Sequence, residues 1–457
     1  MSPVSSAQPR PALARALWLD SLIRAGWDAA PATERVAVTD ALGRVSAEPI
    51  LARWPSPRSD CSAMDGIAVS GAVLAAHSAD PGAAAGNAGA GPTGARTTGA
   101  RTTGVSPTGA GGPVRLPAGT FEWIDTGDVM PDGADTVVMR EWLLPQEDGG
   151  IVIGAGAGPR ELAWGKNVRR AGEDFAAGEV LVPAGRRLRP GDLAAAAACG
   201  RASVAVTRPP VVAIIPTGDE IRPVGSALRP GEIVDSNSLM LAARCRQAGA
   251  VPVVSGVQPD DPDTLAAEIR RAALGADLVL VIAGSSRGRD DHANAVLAQV
   301  GGVAVAGVAV RPGHPALLGH AKRSLSGIAP VVGLPGYPLA AAVIFELFAA
   351  PLLAVIAGLR QPAGQPLLAS LDRDWTSRPG IEDWVLVTLA PAPGAPAGPL
   401  ADSLADSLAC ALPVATPARR GAGSISQLAR ADAWWPIPPD RLLFTAGAVI
   451  QVRPIPD

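Results

Sequence analysis

The segment from Val211 to Pro351 constrains the fold of this chain more than any other part. It opens with VVAIIPTG, a β-branched run typical of a strand buried on both faces of a parallel sheet. Three more apolar strands, VPVVSGV, ADLVLVIAGSS and PVVGLPG, alternate with stretches that carry helical capping residues. Strands and helices alternating at this spacing predict a doubly wound parallel sheet. The predicted helices span Asp235–Ala248, Asp261–Leu274, Asp290–Gln299 and Leu339–Ile356.

Three loops follow the predicted strands, at the carboxyl edge where such sheets bind ligands. In the loop Pro216–Glu220, Gly218 lets the backbone approach a ligand. The neighbouring carboxylates of Asp219 and Glu220 suit a hydroxyl, an amine or Mg²⁺. An ordinary turn that ends in a helix cap explains these residues equally well.

The loop Gly284–Asp291 is richer in groups that bind ligands. Small residues after a buried strand and before a helix form a cradle of backbone N–H groups for an anion. Its arginines suit a phosphate and its aspartates a metal ion. The alternative is a plain loop in which Asp290 only caps the helix.

Two further turns have the composition of a pocket wall. In Arg311-Pro312-Gly313-His314-Pro315, a stiff turn holds two groups that suit an oxyanion, although a single histidine is more often structural. The turn Gly333–Pro338 is rigid and leads into a helix, so it shapes a pocket without supplying side-chain chemistry.

Carboxylates also collect in turns upstream of the α/β segment, at Asp60–Gly66, Asp125–Gly127 and Gly172–Asp174. Solvated turn residues are the default interpretation of each turn. Their number indicates a surface that completes a site from outside the α/β segment.

Composition excludes several classes of function. A net charge of −3 provides no global basic field for nucleic acid. Every apolar run of membrane-spanning length is broken by charges or turn residues, so we predict no membrane span. The four scattered cysteines form no CxxC pair, which argues against a zinc site or a disulfide framework and favours the cytoplasm. Residues 81–112 are a low-complexity stretch with a repeated ARTTG, best interpreted as a surface insertion.

Seven strings in a fixed order carry a family resemblance. They are SAMDG (62–66), TGDVMPDGADTVVM (126–139), VRRAGEDFAAGEVLVPAG (168–185), PTGDEI (216–221), IVDSN (233–237), PDDPDTL (259–265) and GLPGYP (333–338). In these the chain resembles the molybdopterin molybdenumtransferase family, which includes the gephyrin E-domain. The resemblance extends from about Ala12 to Val452.

The resemblance implies an α/β multidomain fold in four parts. A split N-terminal domain comprises residues 10–55 and 155–192, and residues 56–154 form an inserted small β-rich domain that contains the 81–112 loop. Residues 193–357 form the molybdopterin-binding domain with its doubly wound parallel sheet, and residues 358–457 a C-terminal β domain.

The resemblance also implies a reaction and an assembly. Adenylylated molybdopterin and molybdate would react with Mg²⁺ to give molybdenum cofactor and AMP. The protein would be a homodimer whose site lies between the α/β domain of one subunit and the first domains of the other. Mg²⁺ would use one or two carboxylates and the pyrophosphate.

Site residues follow by position from the same resemblance. The catalytic carboxylates would be Asp60, Asp174, Glu220 and Asp291, and the metal ligands Asp261 and Asp291. Cofactor and substrate binding would fall to Thr126, Gly218, Asp219, Gly284, Ser285, Ser286, Arg311, His314, Gly333, Pro335, Gly336, Pro338 and Ser424.

The chain departs from the family pattern at several of these positions. AGSSRGR (283–289) stands where SGGVSVG is common, Arg311 and His314 stand for two lysines of a KPGK turn, and GLPGYP stands for GLPGNP. Ile381 stands where an arginine is expected, and a neutral His314 would weaken molybdate binding. These changes favour an alternative, a molybdopterin-binding or delivery protein without turnover. Two further alternatives, the related molybdopterin adenylyltransferase and a structural scaffold, are disfavoured. The adenylyltransferase is normally a single small domain, and a scaffold would need a fused partner domain.

Overall fold

The computed structural model describes residues 8–78, 113–154, 157–158, 160–283, 289–323, 327–360, 365–392, 412–419, 421 and 424–455. The predicted insertion at 81–112 and the predicted anion cradle Gly284, Ser285 and Ser286 lie outside these residues. The helix Arg289–Val300 is described, but the side chain of Asp291 within it is not.

A six-stranded sheet lies at the centre of the α/β domain and confirms the predicted fold class. Its order is Val251–Val254, Val211–Pro216, Leu278–Ala283, Ile328–Pro335, Leu317–Lys322 and Gly301–Ala306. The first four strands are parallel. The last two are antiparallel to their neighbours, so a hairpin extends the predicted parallel sheet into a mixed one.

Successive side chains of the central strands enter different hydrophobic clusters, as doubly wound sheets require. Val212 and Ile214 pack with the helices Ser236–Gln247 and Pro338–Ile356. Ala213 and Ile215 pack with the helices Pro262–Ala273 and Arg289–Val300. The sheet is therefore covered by helices on both sides.

The helical stretch Pro338–Ile356 is unusually apolar, with a mean hydropathy of 2.4 over its best window. It consists of Pro338–Ile344, a π-helical turn Phe345–Ala349 and Ala350–Ile356. Length and composition alone would allow this stretch to cross a membrane, but 67% of the window is buried inside the protein. Its apolar character is accounted for by its place in the core against the sheet.

The N-terminal helix Pro11–Arg24 also packs on the α/β domain. Ala14, Trp18 and Leu22, spaced four residues apart, form one buried stripe. Trp18 Nε1 donates a 2.8 Å hydrogen bond to the carbonyl oxygen of Gly319 in the hairpin. The first helix is thereby fixed to the antiparallel edge of the central sheet.

Two smaller units precede the α/β domain. In one, Thr33–Ala37 pairs with Ser203–Thr207, and Ile50–Leu51 pairs with Val180–Val182, beside the helix Pro190–Ala198. The other contains two three-stranded sheets and the helix Gly71–Ser78. The strands of the first sheet are, in order, Phe121–Ile124, Gly66–Val69 and Thr136–Met139. Those of the second are Val114–Leu116, Ile151–Ile153 and Leu143–Pro145. The pair Cys61–Ser62 and Val168–Arg169 joins the two units, and short 3₁₀ turns lie at Val38–Asp40 and Arg140–Trp142.

The C-terminal domain is a sheet that closes on itself. Its five strands are Leu367–Leu371, Glu382–Ala390, Val414–Pro417, Ala433–Ile437 and Val449–Pro454. Val310–Arg311, from the α/β domain, pairs in parallel with the start of Glu382–Ala390. Two strand pairs, Ile221–Arg222 with Ile233–Val234 and Trp375–Thr376 with Leu443–Phe444, and the helix Ile425–Arg430 complete the fold.

Candidate functional site

A cleft of about 640 Å³ opens at the carboxyl edge of the central sheet. We refer to it as the main cleft. The residues that line it include Thr217, Glu220, Leu228, Glu232, Ile233, Asp235, Asn237, Gly336, Tyr337, Pro338 and Ile425. Two of the three predicted loops, Pro216–Glu220 and Gly333–Pro338, therefore meet at one cavity.

The turn after the strand Val211–Pro216 places Glu220 in the main cleft. Thr217 anchors the turn, since its backbone N–H and its hydroxyl both donate to the carbonyl oxygen of Ile282, at 3.0 and 2.9 Å. Gly218 has φ +140°, and a Cβ there would lie 2.7 Å from Cγ1 of Ile221 and 3.0 Å from Oε2 of Glu220. Only glycine leaves room for the Glu220 carboxylate to fold back over the turn.

Glu220, Glu232 and Asp235 supply the carboxylates of the main cleft. Glu232 accepts hydrogen bonds from the backbone N–H of Arg229 at 2.8 Å and from the Arg222 guanidinium at 3.0 Å, which hold its pKa below the ordinary value. Asp235 caps the helix Ser236–Gln247 through the N–H of Ser238 at 2.9 Å. The carboxylate of Glu220, alone of the three, has no hydrogen bond or ion pair within the described parts of the chain, so it is free for a ligand.

The motif residue Asn237 lies in the wall of the main cleft and is 8% exposed. Its Nδ2 donates a 2.7 Å hydrogen bond to the carbonyl oxygen of Gly336 and so holds the Gly333–Pro338 turn. Its Oδ1 is buried and has no hydrogen-bond partner among the residues described. Sequence reasoning had treated the motif only as a family signature and a helix start.

The residues present fit a magnesium ion only if the protein supplies very few of its ligands. No group of three or more histidine, cysteine, aspartate or glutamate side chains lies close enough to hold a metal within the described residues. Asp261 caps its helix by accepting from the N–H and hydroxyl of Thr264 at 2.8 and 2.6 Å. Asp219 is exposed and accepts from the N–H of Asp260 at 3.3 Å. One protein carboxylate with phosphate and water suffices for Mg²⁺, and Glu220 can supply it.

A second cavity, of about 360 Å³, lies between the α/β domain and the C-terminal sheet. We refer to it as the arginine cavity because Arg311, Arg378 and Arg419 all line it. The pairing of Val310–Arg311 with Glu382–Asp383 brings these distant segments together. Ile381 does not line the cavity, and Arg378, three residues earlier, supplies a guanidinium there. Asp383 also lines the cavity, and three arginines against this one carboxylate give the wall a net positive charge, which suits an oxyanion.

His314 lines a third cavity, of about 220 Å³, and Arg311 is not among the residues that line it. Its wall includes Gln8, Asn294, His314, Gly333 and Pro335, together with Ala283, the residue just before the predicted anion cradle. A Cβ on Gly333 would lie 2.8 Å from Cβ of Leu317, so glycine there also serves the strand pairing. The two residues of the predicted oxyanion turn therefore face different cavities.

Asp60, Thr126 and Asp174 lie together in the N-terminal units. Three backbone N–H groups, those of Met130, Gly127 and Asp174, donate hydrogen bonds of 2.9 Å. The acceptors are the backbone carbonyl oxygens of Asp60, Ser62 and Ser56, respectively. The N–H of Ala171 at 2.8 Å and Arg170 Nη1 at 2.6 Å bind the Asp60 carboxylate and hold its pKa below the ordinary value. Thr126 donates through its N–H and its hydroxyl to Asp65, both at 2.7 Å.

These residues form a group apart from the main cleft. In the part of the chain that the structure describes, no hydrogen bond or ion pair links Asp60, Thr126 or Asp174 to the cleft residues. Ser424, by contrast, precedes the helix Ile425–Arg430, whose first residue lines the main cleft. The predicted site residues that the structure describes therefore fall into two groups, one at the sheet edge and its adjoining cavities and one in the N-terminal units.

Two family models match the chain. Residues 11–200 match the "MoeA N-terminal region (domain I and II)", and residues 213–355 match the "Probable molybdopterin binding domain". Among solved structures, the molybdopterin biosynthesis MoeA protein of Pyrococcus horikosii is similar, with a TM-score of 0.73 and 26% identity. That likeness covers 98% of this chain and 99% of the other.

Three relatives illustrate the sequence similarity, and each is named molybdopterin molybdenumtransferase. The protein of Bacillus subtilis is 35% identical over 70% of this chain and 70% of its own length. The protein of Haemophilus influenzae is 31% identical over 72% of this chain and 74% of its own length. The Nostoc protein is 38% identical, but the match spans only 52% of each chain. The chain belongs to the molybdopterin molybdenumtransferase family.

Proposed function

We propose that this protein transfers molybdenum from molybdate to adenylylated molybdopterin and releases AMP. One observation carries the proposal: this member of the molybdopterin molybdenumtransferase family has both the main cleft and, beside its C-terminal domain, the arginine cavity. The cleft suits an organic ligand, and the guanidinium groups suit molybdate.

Within the proposed reaction, this chain's residues have separate tasks. Arg311, Arg378 and Arg419 would hold the tetrahedral dianion, because a cluster of guanidinium groups offsets its charge. Glu220 would orient the adenylylated ligand through its free carboxylate. Mg²⁺, held by Glu220 and the pyrophosphate, would offset negative charge on the phosphates. Asp261 and Asp291 stay predicted ligands of that ion.

The proposed assembly is a homodimer, and it rests on the separation of the two residue groups. Within the described residues, no hydrogen bond or ion pair connects Asp60, Thr126 or Asp174 to the main cleft of their own chain. In a two-fold dimer the N-terminal units of one subunit can reach the cleft of the other and complete the site. We also propose a cytoplasmic location, which the scattered cysteines predict.

Release of AMP tests the proposed reaction directly. Purified protein is incubated with adenylylated molybdopterin and Mg²⁺, with and without molybdate, and AMP is quantified by chromatography. The transferase predicts AMP release that depends on molybdate and saturates with it. Tight binding of the ligand without molybdate-dependent AMP would instead identify a binding or delivery protein and overturn the proposed activity.

A further inference from the structure

Arg187 bridges the N-terminal units and the α/β domain. Its Nη1 donates a 2.9 Å hydrogen bond to the carbonyl oxygen of Gly43, in the same N-terminal unit. Its Nη2 donates at 2.8 Å to the carbonyl oxygen of Ala248, the residue that ends the helix Ser236–Gln247 of the α/β domain. Gly249 leaves space for this contact, since a Cβ there would lie 2.6 Å from Nη1. The planar fork of one guanidinium thus holds a carbonyl oxygen on each side of the domain boundary.

The charge of Arg187 has no carboxylate partner in the part of the chain that the structure describes. Burial lowers the pKa of its guanidinium, as expected for a charge withdrawn from water. The negative end of the helix macrodipole at Ala248 offsets part of that cost. An apolar side chain would fill this space without desolvating a charge, so we attribute the arginine to its two directional hydrogen bonds rather than to stability.

A second contact lies two residues away on the same segment. The N–H of Arg360, beyond the helix Ala350–Ile356, donates a 2.9 Å hydrogen bond to the carbonyl oxygen of Gly185. A Cβ on Gly185 would lie 2.5 Å from Cγ of Arg360, so the two segments are closely packed there. Two separated contacts resist a rotation that either one alone would permit. We refer to the contacts Arg187–Ala248 and Gly185–Arg360 together as the joint.

Candidate site residues lie on both sides of the joint. The helix Ser236–Gln247 packs in the core of the α/β domain, and Asn237 in its first turn lines the main cleft. Asp60 and Asp174 lie in the N-terminal units, and Asp174 is in the same unit as Arg187. A rotation at the joint would therefore move Asp60 and Asp174 relative to the main cleft.

We infer that Arg187 is a positioning residue for the shared site: it holds the N-terminal units of one subunit at the angle at which Asp60 and Asp174 reach the main cleft of the other. The inference rests on the proposed function and its homodimer. Loss of the joint should lower the maximal rate, because the two halves of the site no longer meet in one geometry. It should leave the molybdate requirement unchanged, since the arginine cavity lies between the α/β domain and the C-terminal sheet and not at the joint.

Fluorescence energy transfer within one subunit of the full-length protein measures the angle without turnover. Dyes are attached through unnatural amino acids at the exposed positions Glu48 and Arg270, one on each side of the joint, and labelled chains are refolded with an excess of unlabelled chains. The wild type should give a single narrow distribution of transfer efficiencies. Arg187→Met, which keeps a long side chain but loses both hydrogen bonds, should give a broadened or shifted one. The matched control Arg201→Met removes an arginine bond to the carbonyl oxygen of Leu51, within one unit, and should give the wild-type distribution.

Turnover tests whether the angle governs the shared site. Arg187→Met should lower kcat for AMP release by about tenfold or more and leave the molybdate concentration for half-maximal rate unchanged. Gly249→Ala reaches the joint from the α/β side, because its Cβ would displace the Arg187 guanidinium, and should have both effects, on the transfer distribution and on kcat. Gly178→Ala, at a glycine with positive φ and open space around it, should have neither. Thermal melting verifies that each variant is folded.

A wild-type transfer distribution in folded Arg187→Met and Gly249→Ala variants would overturn the inference. So would a broadened distribution with an unchanged kcat, because the angle would then not govern the site. The transfer measurement needs neither substrate nor turnover, so a failure of the proposed transferase activity is distinguishable from a failure of the joint.

Discussion

Arg244 and Glu346 form an ion pair between the helix Ser236–Gln247 and the π-helical turn of the stretch Pro338–Ile356. Their side chains are 11% and 26% exposed. The same two helical segments begin at the main cleft, with Asn237 and Pro338 in its wall. The pair therefore ties together the two elements that carry the Asn237–Gly336 contact.

Replacing Arg244 with methionine should destabilise the protein by about 3 kcal/mol, because the largely buried Glu346 carboxylate loses its ion-pair partner and retains only the weaker attraction of Arg453. Burial raises the pKa of Glu346, and Arg244 opposes that rise. A carboxyl whose folded pKa is raised binds its proton more tightly in the folded state, so stability is lost as pH rises from about 4.3 through the folded pKa. The Arg244→Met variant should therefore lose more melting temperature at pH 8 than at pH 5.

The control for this prediction is Arg244→Met combined with Glu346→Gln. Removing the carboxylate charge should recover most of the lost stability and flatten its pH dependence. Equal losses at both pH values in the single variant would mean that the Glu346 charge is not the cause.

Gly218→Ala should reduce turnover by at least about tenfold. The added Cβ would collide with Ile221 and displace the Glu220 carboxylate, which Gly218 accommodates at φ +140°. Gly178→Ala is the matched control, since Gly178 also has positive φ (+82°) but nothing within 4 Å of its Cβ position. If both variants lose the same activity, backbone strain rather than the position of Glu220 is responsible.

Arg311→Met and Arg378→Met should each raise the molybdate concentration for half-maximal rate by about tenfold or more. A hydrogen bond to a charged group contributes about 1.5–3 kcal/mol, and both guanidinium groups line one cavity. The exposed helical residue Arg270 provides a control, and Arg270→Met should leave the requirement unchanged. His314→Ala should also have no effect, because His314 lines a different cavity. An effect of His314→Ala alone would place the oxyanion in that third cavity.

Mixed dimers test the shared site. Asp60→Asn and Glu220→Gln should each be inactive alone. If each site combines Asp60 of one subunit with Glu220 of the other, a mixed dimer has one intact site. An equimolar mixture, unfolded and refolded together, should recover about a quarter of the wild-type rate by random pairing of the two chains. No recovery, with dimers verified by light scattering, would place both residues in one chain's own site.

The sequence sufficed for the central sheet because its strands are continuous apolar runs such as Val211–Pro216, whose burial on both faces depends little on their partners. The hairpin strands Gly301–Ala306 and Leu317–Lys322 were not predicted. Two glycines begin the first, and their antiparallel pairing depends on contacts distant in the chain.

The directions of the side chains at the site also could not be predicted from the sequence. Arg311 and His314 are three residues apart in one turn, and no local pattern determines that they face different cavities. Arg378 could be placed beside Arg311 only through the pairing of Val310–Arg311 with Glu382–Asp383, a contact across about 70 residues. Asn237 had a visible signal in the IVDSN string, but its unpartnered Oδ1 depends on the three-dimensional packing.

Transfer of molybdenum itself tests the central claim most directly. Purified protein is incubated with adenylylated molybdopterin, Mg²⁺ and molybdate, and the isolated pterin product is measured for molybdenum by mass spectrometry and for activation of an apo-molybdoenzyme. The wild type should yield a product with one molybdenum per pterin that activates the apo-enzyme, and Glu220→Gln should yield almost none. Release of AMP by the wild type without molybdenum in the pterin product would contradict the account.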